Sequence, residues 1–238
     1  MNKIYRLISK ILFGGVLILA GCASVATAEP TLVATVTATA QPTATLAPAA
    51  LQEAVFEAAQ ADDIEAMVAY ITAGADINEQ NDFNLTPLDI ASVRGNAQMV
   101  SILLDAGAGW TTESFHRGVV SGKIDLVQIF LDRGADLNGR SGKWGFHALL
   151  FASQYGYVEI GKLLIEHGAD VYLGDNYNDS AMNVAAYFGQ LEFVEMLLAR
   201  GVKPNTPNKA GSTALDYSIS QKHPEVEKVL RATGAFDK

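Results

Sequence analysis

Gly74-Ala75-Asp76-Ile77-Asn78 returns as Gly134-Ala135-Asp136-Leu137-Asn138 and again, shortened, as Gly168-Ala169-Asp170-Val171. Glycines mark the same place at 74, 107, 134, 168, 201 and 234, separated by 33, 27, 34, 33 and 33 residues. A second series at 95, 122, 156 and 189 stands 12 residues before its partner each time. A fixed period of this length means a stack of small units, none of which buries its apolar face alone. Ahead of the first series run segments such as Met99-Val100-Ser101-Ile102-Leu103-Leu104 and Phe193-Val194-Glu195-Met196-Leu197-Leu198. Their apolar residues fall at i, i+3 and i+4, one buried stripe of a helix. A glycine closing each helix takes the left-handed conformation that a side chain penalises.

Working outward, Thr86-Pro87-Leu88-Asp89-Ile90-Ala91 follows the first marker glycine by twelve residues. Thr is suited to the N-cap and Pro to the first helical position, where no amide donor is lost. Weaker copies are His147-Ala148-Leu149-Leu150-Phe151-Ala152, Ser180-Ala181-Met182-Asn183-Val184-Ala185 and Thr213-Ala214-Leu215-Asp216-Tyr217-Ser218. Together these features resemble the ankyrin repeat over residues 51–238. The resemblance implies an all-α solenoid of about six helix-turn-helix repeats with short β-hairpin connections. The repeats run at about 51–80, 81–110, 111–138, 139–171, 172–204 and 205–238, the first and last acting as caps.

The chain departs from that pattern in two ways. The family's histidine after Thr-Pro-Leu is replaced in every good copy, although His116 is placed at the helix-capping position of the third repeat. Gly107 to Glu113 spans six residues where the neighbouring repeats use twelve or thirteen. The hairpin there is expected to shrink to a turn around Gly109-Trp110, leaving a notch.

The N-terminus reads as an address. Lys3, Arg6 and Lys10 precede the uncharged run Ile11 to Ala20, ILFGGVLILA. That run is about half of the ~20 residues a spanning helix needs, and it fits the core of a signal peptide. It closes on Leu19-Ala20-Gly21-Cys22, which resembles the lipobox of bacterial lipoproteins. The resemblance implies removal of residues 1–21 and lipidation of Cys22. It places the chain on the extracytoplasmic side of a membrane: the outer membrane or periplasm where a cell has two membranes, the cell surface otherwise. An ordinary signal peptide cut after Ala26-Thr27-Ala28 is the competing reading. Residues 22–50 then form a lipidated cysteine and a disordered Thr/Ala/Pro tether, with Pro30, Pro42 and Pro48 breaking any continuous helix.

Composition excludes several functions. The 238 residues hold 17 Lys+Arg against 26 Asp+Glu, a net charge of −9. Removing residues 1–21, with three basic residues and no acid, takes it to −12. Nucleic acid would require clustered cations, so it is not an expected partner. The single cysteine forms no internal disulfide. His116, His147, His167 and His223 lack metal-pair spacing and read as structural. No nucleophile motif, phosphate loop or calcium loop is present. No enzyme activity, metal or cofactor is expected.

Ankyrin repeats usually grip partners with hairpin tips and the exposed face of each first helix. In repeats two, four and five these positions hold fifteen residues, of which seven are aromatic. The expected partner-binding residues are Phe83, Arg94, Trp144, Phe146, Tyr155, Tyr177, Tyr187 and Phe188, with Trp110 extending the row. Aromatic and arginine side chains dominate interface hot spots, because they bury much area with few rotors to freeze. Phe146 and Phe188 packing back as core is the alternative. The expected function is a monomeric, lipid-anchored binding module for a protein or peptide of the cell envelope, with sugar-ring stacking as a variant. An envelope protein without a specific ligand, or a regulatory or inhibitory subunit of an envelope enzyme, is the competing function.

Overall fold

Each repeat is a pair of short helices closed by a left-handed residue, and the computed structural model describes residues 48–235 of the chain. The pairs are α1 (Pro48–Ala61) with α2 (Ile64–Thr72), α3 (Pro87–Arg94) with α4 (Ala97–Asp105), and α5 (Thr112–Val120) with α6 (Ile124–Asp132). They continue as α7 (Ala148–Tyr155) with α8 (Val158–Glu166), α9 (Ala181–Phe188) with α10 (Leu191–Ala199), and α11 (Ala214–Gln221) with α12 (Pro224–Ala232). Each first helix packs on the next first helix, and each second helix on the next second helix, forming two layers. The expected all-α solenoid is therefore present, as six helix pairs among the described residues.

Two details differ from expectation. Helix α1 begins at Pro48, so the segment expected as tether to residue 50 is helical in its last three residues. Pro in the first turn removes no bonded amide, which lets the helix start there. The lipobox, Cys22 and residues 23–47 lie outside the described residues. Among those described, no helix is long and apolar enough to cross a membrane. The expected β-hairpins reduce to one isolated antiparallel bridge, Ser141 with Phe146, and no strand occurs among the described residues.

The hairpins contract because their tips are too tight for a ladder. Two backbone bonds close each, the outer ones being Asn81 N–H to Leu85 O at 3.0 Å, Asp175 to Asp179 at 3.2 Å, and Asn208 to Ser212 at 2.9 Å. In all three the first residue's Oδ1 also accepts two amides of its own turn, as Asp175 does from Tyr177 and Asp179. Such side-chain turns compete with extended pairing.

A left-handed residue recurs between the two helices of every pair, and the sequence marks only part of the series. Gly95, Gly122, Gly156 and Gly189 have φ of 69–74°, while Asp62 (φ 58°) and Lys222 (φ 63°) take the same place in the end repeats. The next repeat then closes over this corner. Gln190 Nε2 donates to Gln154 O at 2.8 Å, Tyr157 Oη to Val120 O at 3.3 Å, and a His223 ring nitrogen meets Tyr187 O at 3.1 Å. These bonds satisfy C-terminal carbonyls that a helix leaves open.

The core is continuous along the stack. Leu88, Met99, Leu103, Phe115, Leu126, Phe130, Leu149, Leu150, Phe151 and Phe193 are fully buried or nearly so. Each contributes roughly 1.5–3 kcal/mol by leaving water. First helices of the central repeats are enclosed almost all round, with Ala148–Gln154 and Ala181–Tyr187 all buried. Second helices bury one face only, as Met99, Val100 and Leu103 do in α4. Consequently α7 and α9 present little beyond their last residues to a partner.

Candidate functional site

The expected row of nine residues divides into three groups. Phe146 is 2% exposed and packs edge-on against Phe151, ring centroids 5.3 Å apart. Tyr187 is 9% exposed, held between Phe188 at 5.0 Å and Tyr217 of the last repeat at 5.5 Å. Both are core residues, and neither offers a surface to a partner. Their register explains why: Tyr187 lies two residues before Gly189, the place where buried Gln154 precedes Gly156, and the following repeat closes over it.

A second group is engaged within the chain. Arg94 makes a two-pronged pair with Asp62 at 2.5 and 2.9 Å, tying the second repeat to the first. That bond holds the Asp62 carboxyl below its usual pKa and raises the guanidinium's. Trp110 is half-buried, tilted onto Phe130 at 5.4 Å, so it fills the notch left by the short third hairpin. Tyr155 stacks on Tyr157 at 5.6 Å, and burial followed by the neighbouring Tyr157 raises its pKa. Phe188 is half-buried against Tyr187.

The third group remains on the surface. Phe83 is 62% exposed on the tip of the second repeat, and Tyr177 is 41% exposed on the tip of the fifth. Trp144 on the fourth tip is half-buried, its ring 5.8 Å from that of Tyr177. The adjoining tips are joined by backbone bonds: Asn176 N–H to Trp144 O and Lys209 N–H to Tyr177 O, both 2.9 Å. Tips four, five and six thus form one bonded rim with an aromatic pair on it.

Asn176, which the aromatic count passed over, organises that rim. Its Nδ2 donates to Lys143 O at 3.0 Å, and its carbonyl accepts from Lys209 Nζ at 2.8 Å. Its Oδ1 lies 3.5 Å from Arg140 Nη1. A Cβ on Gly145 would fall 2.5 Å from the same Oδ1, so the close approach depends on glycine there. Lys143 stands over the Trp144 ring, 5.3 Å from its centroid.

The histidines occupy structural places. His116 meets Ser141 Oγ at 2.6 Å and His147 meets Leu173 O at 3.0 Å, each across a repeat boundary. Burial pushes their pKa values down to about 3 and about 4. His116 is not at the capping position, which Ser114 fills by closing a box with Thr111. His167 bonds Leu163 O at 2.8 Å from an exposed helix end, and His223 begins α12. Among the described residues no three His, Cys, Asp or Glu groups are arranged to hold a metal ion.

The family of ankyrin repeats matches this chain in three overlapping copies, at residues 55–141, 115–208 and 149–237. An ankyrin repeat-containing protein of Treponema pallidum (strain Nichols) is 33% identical over 134 residues, 56% of this chain and 45% of that protein. The ankyrin repeat and KH domain-containing protein mask of Drosophila melanogaster is 36% identical over 96 residues, 40% of this chain and 2% of its own length. The ankyrin repeat, SAM and basic leucine zipper domain-containing protein 1 of Dasypus novemcinctus is 29% identical over 127 residues, 52% of this chain and 26% of its own length. The chain therefore spans less than half the length of these relatives.

Proposed function

The chain belongs to the ankyrin-repeat family, generally a non-catalytic interaction fold, and from that premise we propose that it is a protein-binding module displayed outside the cytoplasm on a lipid anchor. The carrying observation is the Trp144–Tyr177 ring pair on backbone-linked tips, Tyr177 exposed and Trp144 half-buried beside it. A rigid rim loses little conformational freedom on binding, and its aromatics desolvate a large area against a partner. Phe83 is exposed on the second tip, which the shortened third tip separates from these in the stack. The binding surface is thus centred on repeats four to six.

The leader supports the location: three cations, an apolar run, and Leu19-Ala20-Gly21-Cys22 at its end. Acyl chains on Cys22 contribute ~0.8 kcal/mol per buried methylene and hold the chain at the membrane without a spanning helix. The tether lets the repeats search for membrane-bound partners at high local concentration.

Two measurements test this reading. Metabolic labelling with a clickable palmitate analogue marks the wild type and not Cys22→Ala; equal membrane partition of that variant contradicts the anchor. Chemical crosslinking in intact cells gives a discrete adduct that is lost in Trp144→Ala and Tyr177→Ala. Adducts retained in both variants would favour an envelope protein without a specific ligand at this rim.

A further inference from the structure

The tips of repeats four to six carry a local charge opposite to that of the whole chain. Net charge is −9 over the sequence, yet the Arg140 guanidinium and the Lys209 ammonium reach Asn176 at this rim, and the Lys143 ammonium stands over the neighbouring Trp144 ring. All three are exposed, and none makes an ion pair with a carboxylate among the described residues. Six other basic residues, Arg94, Arg117, Arg133, Lys162, Arg200 and Arg231, do. The acids of the fifth tip, Asp175 and Asp179, are buried beneath it, with Arg140 close enough for its charge to act on Asp175. Asp175 Oδ1 is already occupied by two backbone amides.

From this charge complementarity we infer that the rim binds an acidic peptide segment carrying aromatic or other apolar side chains, its carboxylates on Arg140, Lys143 and Lys209 and its apolar groups on Trp144 and Tyr177. The inference rests on the tip reading proposed above and names the chemistry of its partner. Three unpaired cations in a repelling acidic background steer anionic segments and reject basic ones, which gives selectivity more than raw affinity. Aromatic rings beside them supply the apolar contact that charge alone lacks. Helix layers pack 8–10 Å apart, so three adjacent tips span about 20 Å. An extended chain rises ~3.3 Å per residue, so the occupant covers roughly six residues.

The test is fluorescence anisotropy with the full chain. The probe is a fluorescein-labelled peptide of about eight residues alternating Glu and Phe, compared with its Lys-for-Glu counterpart. The wild type binds the Glu peptide at least ~10-fold tighter than the Lys peptide, with affinity falling as salt rises. Lys143→Glu with Lys209→Glu weakens binding by at least ~10-fold, whereas Lys203→Glu with Lys228→Glu, the same change in net charge elsewhere, leaves it within ~2-fold. Asn176→Ala, read beside unchanged helicity, weakens it by loss of the organised rim. Equal loss in both double reversals, or equal binding of the two peptides, would overturn the inference. Capture of heparin without the peptide would assign the rim to sugar polyanions and overturn it too. Should the peptide fail while Trp144→Ala still abolishes the cellular adduct, the partner chemistry is wrong and the tip reading stands.

Discussion

The boundary between repeats two and three and the boundaries among repeats four, five and six solve the same packing problem with different bonds. At the first, the hairpin is missing and side chains do the joining. Asp89 is 6% exposed and accepts from Ser114 Oγ at 2.7 Å and Arg117 Nη1 at 3.0 Å. Asn78 Oδ1 accepts the Gly109 amide at 2.7 Å, and Trp110 covers Phe130. At the later boundaries, backbone bonds join the tips, Asp179 adds buried links to Asn208 and Tyr217, and the aromatics are left facing out. Where a hairpin is full-length, an aromatic at its tip, Trp144 or Tyr177, stays at the surface while Phe146 at the hairpin's base packs inward; where it is short, Trp110 becomes filling.

The sharpest way to break this comparison is Asp89→Ala. It removes the nearer of two carboxylates from the partly buried Arg117, the acceptor at 2.7 Å from the buried Ser114 hydroxyl, and the back-bond to the Thr86 amide, and should cost about 3 kcal/mol in urea unfolding. Gly174→Ala attacks the other kind of boundary. Its Cβ would stand 2.6 Å from the Asn178 carbonyl carbon, which is backbone and has no rotamer to yield. A loss of about 2 kcal/mol is expected. By contrast Gly109→Ala, whose Cβ meets only Asn78 Oδ1 at 3.4 Å, should stay within ~0.5 kcal/mol. Next comes the tryptophan pair: Trp110→Ala should cost about 2 kcal/mol and leave partner capture intact. Trp144→Ala should cost less than ~1 kcal/mol and abolish capture. The reverse assignment would make the notch, not the rim, the binding site.

Acidification tests the same boundaries without a mutation. His116 and His147 are held neutral by burial, at about 3 and about 4 against an ordinary 6.5. Below pH 6.5 the unfolded chain takes up protons that the fold refuses, so stability falls on acidification through that window. Asp175, raised by burial to about 6 from 3.8, works the other way: the fold holds a proton that the unfolded chain releases. Two groups outweigh one, and stability should drop by ~2 kcal/mol between pH 7 and pH 5.5. His116→Phe should flatten this slope and Asp175→Asn should steepen it, as read from denaturation midpoints.

Much of the scaffold was legible because it follows from local chemistry. Thr86, Thr111 and Thr213 cap helices whose third residue, Asp89, Ser114 or Asp216, bonds back to the cap. The left-handed corner was legible only where glycine occupies it, since Asp62 and Lys222 adopt the same angle without the mark. The shortened third hairpin was legible as spacing, whereas its consequence, Trp110 turning onto Phe130, depends on a neighbour far along the chain. The same limit misplaced Phe146 and Tyr187. Counting positions within one repeat treats their faces as open, but Phe151 and Tyr217 fill the space. Asn176 is one of the fifteen expected tip positions, but its organising role has no periodic signature because it lies in bonds to two other repeats.

The central claim is that partners meet the rim of repeats four to six. A photocrosslinking amino acid at position 177, compared in living cells with the same group at position 124, tests it most directly. Both places are exposed, Ile124 at 47% on helix α6 and Tyr177 at 41% on the fifth tip. A discrete adduct from 177 and none from 124 is the predicted result. Adducts from 124 alone, or equally from both, would contradict the account.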